Sequence, residues 1–299
     1  NLKSFITYLN IKHKIPYERL TGIFQDMLNV QISQGCVENT LEHFKVKCQP
    51  FYQQILSIIK TSKWIGSDET GIHVDGQKWW LWVWQNLLGS YYVVSSGRGK
   101  QVVDKHFGQD YWGILVHDCW SAQLNTTALL GHQLCHPHLI RDLNYLIETS
   151  QSKWCYQMKQ LLLSSERAQT KIWWNSFNEN IRQQVIDQYQ SKLIKLLNQP
   201  LSAIKEIATI QKRFKKHQTK ILYFLQYSDV PFHNNFSEQA IRNAKIHQKI
   251  SGGFRSIAGA ERHAIILSVI ETCKKHKLNI LNSLKQIYLG TFSFDVVPE

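Results

Sequence analysis

The first sixty residues carry apolar side chains at helical spacing. This spacing predicts one helix over Tyr17–Met27 and, after a short break, a second helix within residues 28–44. A further helix is predicted around residues 56–59, just before Trp64. The first two helices resemble a helix-turn-helix, for which reading DNA and simple packing against a core are equally good explanations.

From Trp64 onwards the apolar positions alternate, which is typical of strands. Asp75-Gly76 stands between two runs rich in strand-forming residues, and this pair predicts a hairpin with a type I′ turn. A second turn near Gly89 leads into "YYVVSS", which predicts a third strand. The sequence therefore predicts a meander of three antiparallel strands.

After the meander, helices and strands alternate. The segment "GKQVVDKHFG" predicts a short helix, and the continuous apolar run in "GILVHD" predicts a parallel strand buried on both faces. The segment "HQLCH" predicts a fifth strand, and "HLIRDLNYLIE" predicts a helix with one apolar face. Residues from about 151 to 227 have a helical and polar pattern.

This order of elements matches an RNase H-like α/β fold, a match of topology that says nothing by itself about chemistry. We expect a mixed five-stranded sheet with helices, interrupted by a helical insertion and preceded by a helix-turn-helix-like segment. Four parts are predicted: the N-terminal segment 1–61, the first part of the core 62–150, the insertion 151–227, and the C-terminal helices of the core 228–299.

The chain is strongly basic. Its 35 Lys and Arg residues exceed its 22 acidic residues, which gives a formal net charge of +13. An anionic partner is therefore expected, with nucleic acid as the first candidate, while a solvated basic surface is the alternative. The segment "QKRFKKHQTK" at 211–220 is more typical of a solvated helix face than of a specific contact.

The cysteines and the apolar segments bear on the compartment. Six cysteines show neither dense disulfide spacing nor a C-x2-C pair, which predicts reduced thiols, and Cys135-x-x-His138 has the spacing of only half a zinc site. No run approaches the ~18 apolar residues of a membrane span, and no secretory signal pattern is present. We therefore expect a soluble, cytoplasmic protein, and the start at Asn1 rather than Met suggests a fragment or a processed chain.

Three acidic residues stand where a catalytic site could form. Asp118 follows the buried strand predicted in "GILVHD", and ligands of open α/β sheets collect at the carboxyl ends of parallel strands. Asp68 lies on the first predicted strand, which neighbours the fourth in the RNase H-like arrangement. Glu238 begins the helix predicted in "HNNFSEQAIRNAK".

Three converging carboxylates in a basic protein predict phosphodiester chemistry. Mg2+ prefers oxygen ligands, and two such ions can activate an attacking oxygen and stabilise a leaving one. Each acid also has an ordinary explanation: Asp68 could cap a turn, Asp118 could simply end a strand, and Glu238 could form a capping pair with Asn235. The prediction depends on the three acids lying together.

Basic residues beside these acids are candidate phosphate contacts. On the predicted helix of Glu238, a stripe follows at Arg242, Lys245 and Lys249, although Glu238 and Arg242 could equally form an ordinary i,i+4 ion pair. Arg98 and Lys100 of "SGRGK" are candidates for contact with a DNA backbone. That segment lacks the pattern of a nucleotide-binding loop.

Four blocks of the sequence, in their order and spacing, resemble the DDE transposases of the insertion-sequence 66 (IS66) family. They are "SDETGIHVDGQKWWLWVWQN", "LVHDCWSAQ", "HQLCHPHLIRDLNYLIE" and the stretch from "NNFSEQAIRNAK" to "HKLNILNSL". By this resemblance the family's two catalytic aspartates fall on Asp68 and Asp118, and its glutamate falls on Glu238. His138 and Arg141 match a further block of the family, and we include them among the candidate DNA contacts.

The resemblance implies an RNase H-like core with two Mg2+ ions, for which Mn2+ could substitute, and cutting and joining of DNA at the ends of a mobile element. It also implies element-end and target DNA as partners, a homo-oligomer assembled on DNA, accessory proteins encoded by the element, no membrane association, and a place in the bacterial nucleoid. Two other functions stay open at this point: a remnant that binds DNA without catalysis, and an RNase H-like nuclease that cuts without joining.

Overall fold

A computed structural model describes residues 2–106, 111–126, 130–174 and 178–294 of the chain. The described residues fall into two compact units. The first unit contains those of 1–112, 126–128 and 235–299, and the second contains those of 113–125 and 129–234. The second unit is thus inserted in sequence between two parts of the first.

The first unit contains a meander of three antiparallel strands, as the alternating pattern predicts. Strand β1 (Trp64–Val74) pairs with β2 (Gln77–Gln85), which pairs with β3 (Ser90–Ser95). Asp75 and Gly76, at φ 50° and 70°, both adopt the left-handed conformation of a type I′ turn, so the hairpin prediction is confirmed. From Leu81 onwards β2 is buried on both faces.

Seven α-helices of the first unit lie around this meander within its described residues. They are α1 (Leu2–Thr7), α2 (Tyr17–Leu28), α3 (Gln34–Thr61), α4 (Lys100–His106), α10 (Asn235–Ser251), α11 (Ile257–Lys275) and α12 (Ile280–Leu289). A π-helical turn, Tyr8–Lys12, follows α1. The short helix α4 confirms the prediction from "GKQVVDKHFG", except that Phe107 and Gly108 lie outside the described residues.

Helix α3 corrects one prediction. The sequence suggested two separate helices, but a single helix of 28 residues runs through Pro50. Proline inside a helix removes one backbone hydrogen bond and disfavours the helix. A buried stripe at three- and four-residue spacing stabilises it nonetheless, formed by Val37, Leu41, Phe44, Cys48, Tyr52, Ile55 and Ile59.

Helix α11 covers the outer strand of the meander. It packs against β3 and α3, and nearly all of its residues from Ala260 to Cys273 are buried. The backbone N–H groups of Ser90 and Tyr92 on β3 donate to the hydroxyls of Thr272 and Ser268, at 3.1 and 2.9 Å. Because a strand edge carries unpaired N–H groups, these two hydroxyls satisfy donors that would otherwise be buried without partners.

The second unit contains two short parallel strands and five helices among its described residues. Strand β4 (Ile114–His117) is fully buried and pairs with β5 (Gly131–Leu134), which confirms the parallel strand predicted from the apolar run. The helices are α5 (Ser121–Leu124), α6 (His136–Ser150), α7 (Lys153–Trp174), α8 (Glu179–Leu197) and α9 (Lys205–Lys216). Two 3-10 turns, Gln218–Lys220 and Tyr223–Gln226, follow α9.

The strands amount to a mixed five-stranded sheet, and with the many helices they place the chain in the α/β class. The four-part division by sequence number stays a prediction. Within the described residues, none of the helices has the length and apolar character needed to span a bilayer.

Candidate active site

Asp68 lies in the middle of β1, opposite Val83 of β2. Its side chain is half-buried and accepts a hydrogen bond from the backbone N–H of Glu69 at 2.9 Å. Both neighbours of Asp68, Ser67 and Glu69, are buried. Successive side chains of a strand point to opposite faces of the sheet, so the side chain of Asp68 lies on the face opposite to those of Ser67 and Glu69.

Glu69 is a buried carboxylate that the sequence pattern did not indicate as a candidate site residue. Only 2% of its side chain is exposed, and its Oε1 accepts a hydrogen bond from Arg98 Nε at 2.8 Å. The guanidinium of Arg98 also stacks over the ring of Trp80, 4.6 Å from its centroid. The predicted DNA contact Arg98 is therefore held by a carboxylate and an indole of its own unit, and Lys100 lies near Asp104 at 3.9 Å.

Glu238 lies in the first turn of α10, as predicted, and this helix packs against β1 and β2. The first unit thus brings into contact the strand that carries Asp68 and the helix that carries Glu238. Arg242 lies 3.7 Å from the Glu238 carboxylate, but it is 76% exposed, so the ion pair contributes little to stability. Lys245 and Lys249 are exposed on the same helix, which gives the basic stripe that the spacing predicts.

The far end of α10 is tied to the end of β1. Phe254 donates a hydrogen bond from its backbone N–H to the carbonyl oxygen of His73, and Asp75 donates one back to the carbonyl oxygen of Phe254, both at 2.8 Å. Gly253 has a φ of 136°, and a Cβ there would lie 2.9 Å from the carbonyl oxygen of His73. The close approach of this segment to β1 therefore requires glycine at 253.

Asp118 follows β4 directly, in the second unit. Its carbonyl oxygen accepts a hydrogen bond from the N–H of Trp120 at 2.7 Å and also contacts Nδ1 of the buried His117. Nε2 of His117 lies 3.0 Å from Nδ1 of His132. Burial, with repulsion from His132, lowers the pKa of His117 well below its usual value, so the imidazole beneath Asp118 is neutral at neutral pH.

Asp118 lines a pocket of about 200 Å³ within the second unit. The other lining residues are Cys119, Trp120, His138, Leu139, Asp142 and Arg213. His138, a predicted DNA contact, is therefore in the lining, whereas Arg141 is exposed on α6 and is not part of it. Burial raises the pKa of the Cys119 thiol, so this neighbour of Asp118 is protonated at neutral pH.

Asp142 and Arg213 are the pocket residues that sequence reasoning missed. Nη2 of Arg213 on α9 donates to Oδ2 of Asp142 on α6 at 2.5 Å. The two residues are 71 positions apart, so no local spacing indicates the pair. Arg213 belongs to the segment "QKRFKKHQTK", which the sequence favoured as a solvated face.

Cys135 and His138, the pair with the spacing of half a zinc site, bring the Cys135 sulfur and a His138 ring nitrogen within 4.8 Å of each other. Cys135 is buried ahead of α6, and its sulfur accepts a hydrogen bond from the backbone N–H of Asn234 at 3.2 Å. Burial with a backbone donor is typical of a structural thiol.

Known proteins match this chain at two levels, a single relative and a family. The relative is an uncharacterized protein, y4jO, of Sinorhizobium fredii, to which the chain is similar with 33% identity over 72 residues. That similarity covers 24% of this chain and 22% of the other protein. The model of the family described as "Transposase IS66 family" matches residues 1–262, and on that match the chain belongs to the IS66 family of transposases.

Proposed function

We propose that this chain is a metal-dependent DDE transposase with an RNase H-like core. Membership of the IS66 family supports a role in transposition. The observation that carries the chemistry is Asp118, a half-buried carboxylate at the carboxyl end of a buried parallel strand and in the lining of a pocket. Ligands of α/β proteins bind at such strand ends.

Asp68, Asp118 and Glu238 are the proposed ligands of two divalent ions. The donor set fits Mg2+, and Mn2+ as a substitute, because carboxylate oxygens are the ligands that these ions prefer. Contact between β1 and α10 supports pairing Asp68 with Glu238, and we expect Asp118 to join them as in other RNase H-like folds. When bound, two such ions would activate an attacking oxygen and stabilise the leaving oxygen of a phosphodiester.

The reaction has two proposed steps. In the first, water attacks the phosphodiester at an element end, and the P–O bond to the 3′ oxygen breaks and leaves a free 3′-hydroxyl. In the second, that hydroxyl attacks a phosphodiester of target DNA, a new P–O bond forms, and the target's own 3′ oxygen leaves with a proton. Arg242, Lys245 and Lys249 bind DNA phosphates during both steps, since their charges are exposed on the helix of Glu238.

The rest of the chain serves DNA binding in this proposal. Helices α2 and α3, separated by five residues, form a helix-turn-helix-like pair that contacts DNA. Further candidate contacts are His138 and Arg141 on α6, Arg98 just before α4, and Lys100, the first residue of α4. We expect a homo-oligomer on the DNA of the nucleoid, together with accessory proteins of the element.

Replacing Asp118 tests the proposal. Asp118→Asn removes one ligand charge without changing the size of the side chain, and loss of several kcal/mol of transition-state stabilisation slows nicking and strand transfer at least about a thousandfold. DNA affinity should change little. The matched control is Asp187→Asn, an exposed carboxylate on α8 that accepts a hydrogen bond from Gln183.

The substrate is a plasmid that carries the DNA flanking the gene, assayed with Mg2+, with Mn2+ and with a chelator. Nicking by wild type that survives the chelator, or activity retained in Asp118→Asn, would overturn the two-metal assignment. Wild type that nicks without joining would be a nuclease, and wild type that only binds DNA would be a remnant.

A further inference from the structure

The guanidinium of Arg213 lines the pocket beside Asp118, and not all of its N–H donors have a hydrogen-bond partner among the described residues. One nitrogen of Arg213, Nη2, is held by Asp142 at 2.5 Å. Its Nε is a buried donor with no hydrogen-bond partner among the residues that the structure describes. A buried donor without a partner costs free energy, so an acceptor entering this pocket would gain a charge-assisted hydrogen bond that is now missing.

A second cation lies close to the same pocket. Lys220, in the 3-10 turn after α9, places Nζ 3.5 Å from the carbonyl oxygen of Leu124. Burial lowers the pKa of Lys220, and repulsion from Lys216 lowers it further. Leu124 is the last residue of α5, the one-turn helix that begins directly after Trp120 of the pocket lining, so the ammonium of Lys220 lies at the other end of that short helix.

The segment has few acids of its own to balance these charges. The twelve residues of α9 contain five Lys and Arg but a single acidic residue, Glu206, in the first turn. Burial lowers the pKa values of His217 and Lys220, and repulsion from neighbouring cations lowers both further. Cations that repel one another at a partly buried position are stabilised when an anion binds between them.

We propose that Arg213 and Lys220 form a phosphate-binding subsite of the second unit, which holds a backbone phosphate of the DNA strand next to the one attacked at Asp118. The inference rests on the proposed function and names residues that the sequence assigned to a solvated face. Asp142 fixes the guanidinium by one edge and leaves its other donors for the phosphate.

The chemistry favours a phosphate over a base or a small neutral ligand. Guanidinium presents a planar fork that matches phosphate oxygens, and lysine binds phosphate as a point charge. The lining also includes Leu139 and the indole of Trp120, and its charged groups are the guanidinium of Arg213 and the carboxylates of Asp118 and Asp142. Because Asp142 is paired with Arg213, a pocket of about 200 Å³ beside a candidate metal ligand has room for one phosphodiester group at the guanidinium.

The test is the salt dependence of DNA binding by the full chain, measured in chelator so that no cleavage occurs. Each lost phosphate contact lowers the slope of log Kd against log salt concentration by roughly 0.9. Arg213→Gln and Lys220→Gln should each show that decrease and should weaken binding about tenfold. Lys212→Gln is the matched control, because it removes one exposed charge from the same helix and should leave the slope unchanged.

A structural role for Arg213 gives a different result. If Arg213 only joins α9 to α6, Arg213→Gln lowers the melting temperature but leaves the DNA slope as in wild type, and the proposal is wrong. Arg213→Lys keeps the charge and serves if the Gln variant does not fold; we expect it to retain the slope but to bind more weakly. An equal loss of slope in Lys212→Gln would also overturn the proposal.

Two further measurements distinguish a failure of the proposed subsite from a failure of the proposed function. Inorganic phosphate should compete with DNA for wild type but not for Arg213→Gln; competition with an unchanged DNA slope would indicate a site for free phosphate and contradict the proposal. If wild type cuts DNA and Asp118→Asn does not, an unchanged slope in Arg213→Gln overturns only the subsite. If wild type does not bind DNA, the proposed function fails as well.

Discussion

Arg98 donates a hydrogen bond from Nε to the carboxylate of Glu69 at 2.8 Å, and Glu69 is the residue that follows Asp68 on β1. The carboxylate is almost fully buried, and this guanidinium supplies a positive charge that balances it. Trp80 on the neighbouring strand supports the guanidinium from one side. The pair therefore fixes the backbone on which Asp68 is carried.

Arg98→Ala should lower the free energy of unfolding by about 1–3 kcal/mol, because it removes a cation that lies 2.8 Å from a buried carboxylate. Lys100→Ala is the control, since the Lys100–Asp104 pair is long and exposed and should contribute less than about 0.5 kcal/mol. Urea unfolding measures both. Equal effects would show that Glu69 does not need Arg98, and partial recovery in Glu69→Gln with Arg98→Ala would support the pair.

Gly253→Ala should destabilise the first unit by about 2–4 kcal/mol, because alanine is strained at a φ of 136° and its Cβ would meet the carbonyl oxygen of His73. Gly22→Ala is the matched control. Gly22 is inside α2, and a Cβ there has no neighbour within 4 Å, so this change should stabilise by about 0.5–1 kcal/mol. Thermal unfolding of the two variants decides the matter, and a neutral Gly253→Ala would contradict the described contact.

The stability of the protein should fall as the pH drops below 6.5. Burial lowers the pKa of His247 from 6.5 to about 4, and burial also lowers the pKa of the fully buried His263 well below its usual value. Above pH 6.5 both imidazoles are neutral in the folded and in the unfolded chain, so they do not make the free energy of unfolding depend on pH. Below it the unfolded chain binds protons that the folded chain does not, which costs up to about 1.4 kcal/mol per pH unit for each histidine.

His247→Gln isolates one of these groups. Its ring stacks on Phe254 and lies beside His263, so the variant is less stable at every pH, but its stability should fall less steeply between pH 6.5 and pH 4, by roughly one proton. Urea titrations at several pH values give the slope. Parallel slopes for variant and wild type would show that His247 is not protonated on unfolding.

Local chemistry explains which parts of the fold could be predicted. Asp75-Gly76 specifies its turn by backbone conformation alone, and the apolar run before Asp118 specifies a buried strand, so both predictions are confirmed. Helix α3 was divided wrongly because its continuity depends on a buried stripe that offsets the cost of Pro50. Tertiary packing of that kind leaves only a weak signal in a short window of sequence.

The site was only partly predictable for the same reason. Asp68, Asp118 and Glu238 stand next to recognisable elements, and the sequence could select them, although their metal-binding role stays a prediction. Glu69 with Arg98, and Asp142 with Arg213, are 29 and 71 residues apart. Pairs at such distances are created by the fold, and neither partner has a neighbour in sequence that indicates the other.

The hydroxyls that cover β3 have a consequence for the newly made chain. Ser268 follows Tyr92 by 176 residues, so at translation rates of roughly 5 to 20 residues per second β3 waits roughly 10 to 35 s before α11 exists to cover it. During that time the N–H groups of Ser90 and Tyr92 lie open on an aromatic and β-branched strand, where another strand could pair with them. Ribosomes that stop before α11 would therefore release an aggregation-prone product, and a nascent chain of this protein is an expected client for chaperones.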